Sequence, residues 1–215
     1  ADLNQDGYID LVLANRNAQP NKIYFGPNFE QSFLFGENNN ETRGVAIEDM
    51  NQDGFLDIIA VNIGDKNRIY FGNGSGKFAR SIFFGKTSDA TMAVIIGDLD
   101  NDGDIDAVIS NNNGPANLLI RNGEPDKNWI GFYMEGIWSN RDAIGSRIIL
   151  SVNGSKQTRI VNTAGSYLAS NDKRVLFGMS DHPEAEEVSV YWPSGRRHIF
   201  ENLKVDHYYK IKEDG

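Results

Sequence analysis

Three nearly identical nine-residue stretches restrict what this chain can fold into. "DLNQDGYID" spans Asp2–Asp10, "DMNQDGFLD" spans Asp49–Asp57 and "DLDNDGDID" spans Asp98–Asp106. They begin 47 and then 49 residues apart, and self-similarity at a period of roughly 40–50 residues points to propeller blades or another repeat array. The flanks repeat as well. An apolar run ending in asparagine follows each copy: "LVLAN", "IIAVN" and "AVISN". Next come "NKIYFG", "NRIYFG" and the looser "NLLIRNG", and then "SFLFG" or "SIFFG". "RGVAIEDM" and "MAVIIGDL" lead into the second and third copies.

Short runs rich in Val, Ile, Phe and Tyr, separated by Gly and Asn, predict β-strands. Four such runs per repeat predict one antiparallel blade. No stretch sustains a period of about 3.6 residues with caps, so little helix is expected. The expected fold is all-β: a partial β-propeller of about two and a half four-stranded blades over 1–125, then a small β-sandwich-like domain over 126–215. The first copy is preceded by Ala1 alone, where the others follow a strand ending in "ED" or "GD". The chain is therefore expected to be the C-terminal part of something longer. Its open edges would be covered by missing sequence or by other chains.

In each copy, side-chain oxygens fall at positions 1, 3, 5 and 9, with glycine at position 6. These are Asp2, Asn4, Asp6 and Asp10; Asp49, Asn51, Asp53 and Asp57; Asp98, Asp100, Asp102 and Asp106. Position 7, which is Tyr8, Phe55 or Asp104, would offer its backbone carbonyl. Hard oxygens at alternating positions around a glycine-permitted turn suit Ca²⁺, which takes about six to eight oxygen ligands. Up to three ions are expected, one per repeat. An EF-hand needs a glutamate at position 12, and Leu13, Ala60 and Ile109 stand there. The alternative is a solvated turn, since Asp, Asn and Gly favour turns without any metal. Two carboxylates about 4 Å apart repel by roughly 4 kcal/mol at an effective dielectric near 20, which favours a cation in so acidic a loop.

The net charge of −9 offers no basic stripe for nucleic acid. No cysteine is present, which removes disulfides and thiolate metal sites. No apolar run approaches the ~20 residues needed to span a bilayer.

Repeats of this length, with DxNxDGxxD followed by a strand and an "FG" step, resemble FG-GAP/VCBS repeats. That is the calcium-binding blade family also found in integrin α-subunit heads, and the resemblance covers about residues 1–125. It implies the propeller. After Gly123-Glu124-Pro125-Asp126, a plausible linker, the pattern changes. Alternation in "SRIILSV" and "EVSVYW", with turns at Asn153-Gly154 and Pro193-Ser194-Gly195, predicts a small sandwich. "SNRDAIGSRI", "GSYLASND", "LFGMS" and "VYWPSG", in that order, resemble the ASPIC/UnbV domain over about Asn128–Lys212. That resemblance, as in cartilage-acidic-protein-like secreted proteins, implies an extracellular module and supplies no catalytic assignment to carry over.

Ser139–Asp142 and Ser170–Asp172 are polar clusters expected either to hydrogen-bond their own turns, with Arg141 paired to a carboxylate, or to hold a ligand. Trp129, Trp138 and Trp192 are expected in the core, with a sugar platform as the alternative. His182, His198 and His207 are scattered, no GxSxG or HExxH occurs, and "GNGSGK" lacks the phosphate-loop spacing. An enzyme is not expected. Sequons stand at Asn40, Asn73 and Asn153, as possible N-glycosylation sites. The functional expectation is an extracellular calcium-binding protein for adhesion or matrix contacts, with other extracellular proteins, copies of itself or glycans as partners. The alternatives are a self-assembling filament or surface-layer subunit, and a glycan-binding module.

Overall fold

The run Asp57–Asn62 is buried along its whole length, although strand side chains alternate between two faces. Both of its faces are covered. Ile58 and Ala60 pack with Leu3, Ile23, Phe35 and Tyr70. Ile59 and Val61 pack with Val94, Ile96, Ile105 and Ile109. The continuous apolar run is thus the mark of a sheet held between two others. Full burial of each large aliphatic side chain contributes about 1.5–3 kcal/mol.

The computed structural model describes residues 1–36, 40–85, 90–112, 118–120 and 127–214, and all the regular structure among them is β. The repeat half forms three sheets. The first is β1 (Leu11–Leu13), β2 (Asn21–Tyr24) and β3 (Ser32–Phe35). The second is β4 (Thr42–Glu48), β5 (Asp57–Asn62), β6 (Asn67–Phe71) and β7 (Arg80–Phe84). The third is β8 (Thr91–Gly97), β9 (Asp106–Asn111) and β10 (Leu118–Ile120). Every neighbouring pair is antiparallel. Each nine-residue motif sits at the same place, immediately before the strand that its last aspartate opens or adjoins. The expected blades are present, with four strands in the second sheet and three among the described residues of the other two.

The second half is a two-sheet sandwich. One sheet is mixed: β11 (Asn128–Glu135) pairs antiparallel with β14 (Val175–Ser180) and parallel with β17 (His207–Lys212). The other is antiparallel, in the order β13 (Ser155–Ile160), β12 (Arg147–Val152), β15 (Glu184–Tyr191) and β16 (Arg197–Lys204). Alternate residues Ile148, Leu150 and Val152 of β12 point into a core with Ile130, Phe132, Phe177 and Val190. The expected linker at Gly123–Asp126, and with it the boundary at 125/126, lies outside the described residues.

The two halves share a core. Trp129 and Leu176 belong to the same buried cluster as Ile96 and Ile105 of the third blade. The segment joining β13 to β14 lies along β8: Asp172 N donates to Ile96 O at 3.2 Å, and Ile96 N donates to Asn171 Oδ1 at 3.2 Å. Cluster Ser170–Asp172 is therefore a docking element. In the other polar cluster, Asp142 pairs with Lys173 at 2.8 Å. Arg141 makes no ion pair among the described residues, contrary to expectation. Trp129 and Trp192 are core residues, whereas Trp138 is 64% exposed beneath the Arg196 guanidinium.

Candidate metal centre

Glycine at motif position 6 has φ of +87° at Gly7, +89° at Gly54 and +89° at Gly103, which an L side chain rarely adopts. The turn it permits brings its N–H onto the carboxylate at position 1. Gly7, Gly54 and Gly103 donate to Asp2, Asp49 and Asp98 at 3.1, 2.8 and 3.0 Å. Position 5 then accepts from the N–H of position 7: Tyr8 to Asp6, Phe55 to Asp53 and Asp104 to Asp102, at 2.8–2.9 Å. In the first two copies the position 3 amide closes the ring, Asn4 donating to Asp6 and Asn51 to Asp53.

Position 9 is buried and accepts from backbone N–H groups. Asp10 accepts from Leu3 N and Gly26 N, and Asp57 from Met50 N and Gly72 N, at 2.8–3.0 Å. Asp106 accepts from Leu99 N at 3.0 Å. This explains the "FG" step. A Cβ at Gly26 would lie 2.6 Å from Ile9 O, and one at Gly72 would lie 2.2 Å from Leu56 O.

Positions 1 and 9 are buried in all three loops, while Asp6, Asp100 and Asp102 are exposed. Burial, opposed by the backbone hydrogen bonds, raises Asp2, Asp10 and Asp106 above the usual carboxylate range. It pushes Asp49 up to about 7 and Asp57 up to about 8, with neighbouring aspartates adding to the shift. Such loops hold negative charge at a cost that a cation would remove.

The donor set fits Ca²⁺. Carboxylate oxygens of Asp98, Asp100 and Asp106 lie within 4.8 Å of one another. Asp2 Oδ1 is buried without a hydrogen-bond partner among the described residues. Each position 9 oxygen that accepts one N–H keeps a second lone pair. In each loop, the residues at positions 1, 3, 5 and 9, with the carbonyl at position 7, would hold the ion. The fifteen residues occupy the same positions in three similar turns, and among the described residues three carboxylates converge in the third loop alone.

Position 4, which sequence reasoning passed over, links the loops. Gln5, Gln52 and Asn101 there all have positive φ. Gln5 Nε2 donates to Gly54 O at 3.3 Å, and Gln52 Nε2 donates to Gly103 O at 2.9 Å and Asp104 Oδ1. Asn101 Oδ1 accepts instead from Arg174 of the second domain. The recurring amide at position 4 was the available signal. At the opposite end of the sheets, Asn21 Nδ2 donates to Thr42 Oγ1, which donates to Asn62 Oδ1. Asn67 Nδ2, Thr91 Oγ1 and Asn111 Oδ1 repeat that chain one blade on. The repeated asparagines are therefore blade-to-blade connectors.

The second domain rests on the loops. The Trp129 indole lies where a Cβ of Gly103 would be, and Gly178 abuts Asp49 Oδ2. Tyr208 Oη donates to Asp98 Oδ2 at 2.7 Å. Of the sequons, Asn73 and Asn153 are exposed. Asn40 is only 6% exposed and the Thr42 hydroxyl of its sequon is engaged in the connector, so this turn does not present a glycan acceptor.

These features define a repeat protein of oxygen-lined hairpins set on propeller-type blades and closed by a β-sandwich. The chain belongs to the FG-GAP-like repeat family, whose model matches residues 2–60 and 49–109. The ASPIC and UnbV family model matches residues 136–215. Both are modules suited to protein–protein interaction. No curated protein matches the chain.

Proposed function

We propose that this chain is a calcium-stabilised extracellular scaffold that makes adhesive or matrix contacts through protein–protein surfaces. One observation carries the reading: three loops place side-chain oxygens at the same positions of the same turn, with buried carboxylates at positions 1 and 9 in every copy. Calcium supplies charge neutralisation when bound. The chain's own residues position the oxygens and couple each loop to its neighbour. The enzyme alternative gains no support from the site, since the acids are bonded to loop backbone around one turn.

Melting the protein in EDTA and in 10 mM Ca²⁺ tests the reading. Extracellular modules bind with dissociation constants of roughly 10⁻⁴–10⁻³ M, so each occupied site adds about 1.4–2.7 kcal/mol at that concentration. A midpoint that does not move excludes a structural cation.

Self-association is the second reading. Phe33 and Leu34 on β3, and Ile82 and Phe83 on β7, are exposed apolar residues on the last strand of two blades, where edges can pair with another copy. Sedimentation at several concentrations separates this from a monomeric scaffold. The glycan-binding alternative rests on the exposed Trp138 and predicts carbohydrate-array binding that Trp138→Ala abolishes.

A further inference from the structure

We infer that the ASPIC/UnbV domain tunes cation binding at the third loop through Tyr208, so that docking of the domain and occupancy of that loop reinforce each other. The inference rests on the calcium reading above. The first two loops are linked onward to the next loop, by Gln5 to Gly54 and by Gln52 to Gly103. At the third loop the second domain takes that place. Arg174 donates to Asn101 Oδ1 and to the carbonyl of Asp98, while Tyr208 Oη donates to Asp98 Oδ2.

The chemistry of the two contacts differs in a useful way. Arg174 also pairs with Asp172, with Nη2 2.6 Å from Oδ2, so its charge is largely neutralised within its own domain. Tyr208 is a neutral donor. It shares Asp98 Oδ2 with Gly103 N, while Asn101 N and Asp102 N hold Oδ1. Among the described residues it is the one donor from the second domain on the position 1 carboxylate, and it adds no positive charge beside the ion. The Tyr208 ring packs against Trp129, with centroids 5.0 Å apart, and the indole in turn covers Gly103. A carboxylate held in place loses less freedom when it binds a cation. By linkage, the ion must return the same free energy to domain docking.

The test is calorimetric titration of the full chain with Ca²⁺ alone, paired with hydrogen exchange of β17 and of residues 170–174. Tyr208→Phe keeps the ring and removes only the hydroxyl. It should weaken one binding step roughly tenfold and leave the others unchanged. In the native chain, EDTA should raise exchange in β17, and Asp98→Asn should make that exchange insensitive to calcium, whereas Asp2→Asn should not. If the native chain takes up no Ca²⁺, the cation reading falls and takes the inference with it. If Ca²⁺ binds but Tyr208→Phe leaves every step unchanged, and β17 exchange ignores calcium, the coupling alone is overturned.

Discussion

The side-chain amide of Gln52 donates to the carbonyl of Gly103 at 2.9 Å, joining two turns 51 residues apart in the chain. Gln52 is buried, so its loss leaves a backbone carbonyl without its partner. Gln52→Ala should lower stability by about 1–3 kcal/mol, read from the urea midpoint at constant slope. A change below about 0.5 kcal/mol would remove position 4 as a connector.

At the other end of the blades, Thr42 Oγ1 both accepts from Asn21 and donates to Asn62. Thr42→Val keeps the shape and strands two buried polar groups, at a cost of about 2–4 kcal/mol. Thr42→Ser keeps the hydroxyl and should recover most of that loss. Equal destabilisation by both variants would assign the effect to packing of the methyl group.

Two motif glycines should respond differently to alanine. Gly7 has positive φ and open space around its missing Cβ, whereas a Cβ on Gly72 meets the Leu56 carbonyl at 2.2 Å. Gly7→Ala should cost about 1–2 kcal/mol. Gly72→Ala should cost more, about 3 kcal/mol, because the backbone must separate and break the bond to Asp57. Thermal denaturation of the two variants checks the order.

The second loop sets a pH dependence that tests the proposed cation. Burial raises Asp49 to about 7 and Asp57 to about 8 in the folded state, above their unfolded value near 3.9. The folded state then holds protons that the unfolded chain has released. In EDTA, stability is fully present below about pH 4 and falls as pH rises toward 8. Calcium favours the ionised form, so saturating Ca²⁺ should flatten or invert this slope. Urea midpoints at pH 5 and pH 8, with and without the ion, measure it. A slope that calcium leaves unchanged contradicts metal binding at these two acids.

Glu213 has the opposite sign. Burial raises its pKa, but donation from Ser194 and Ser139 and from the N–H groups of Ile137 and Ser139 outweighs this and brings it down to about 2. Three successive backbone N–H groups, Ile137 to Ser139, converge on one carboxylate oxygen at 2.7–2.9 Å. This contribution is present above the unfolded value near 4.3 and is lost as pH falls from there toward 2. Glu213→Gln should flatten the acid limb of the stability curve, and an unaltered limb would refute the role.

The local pattern was enough to determine the strands, the blade period, the three oxygen-lined turns and the alternation in β12, because each depends on residues close together in sequence. Asn21, which opens "NKIYFG", and Asn62, which ends "IIAVN", were visible as repeats, yet their shared partner Thr42 lies 21 and 20 residues away. Trp138 and Asn40 were misjudged for a related reason: exposure depends on what packs against a turn, and no short window records that. Tyr208 and Arg174 carry no motif at all. They reach Asp98 only because a shared core of Trp129, Leu176 and Ile105 seats the sandwich on the third blade. Local spacing decides which oxygens can face an ion, whereas only tertiary packing decides which distant donors hold them there.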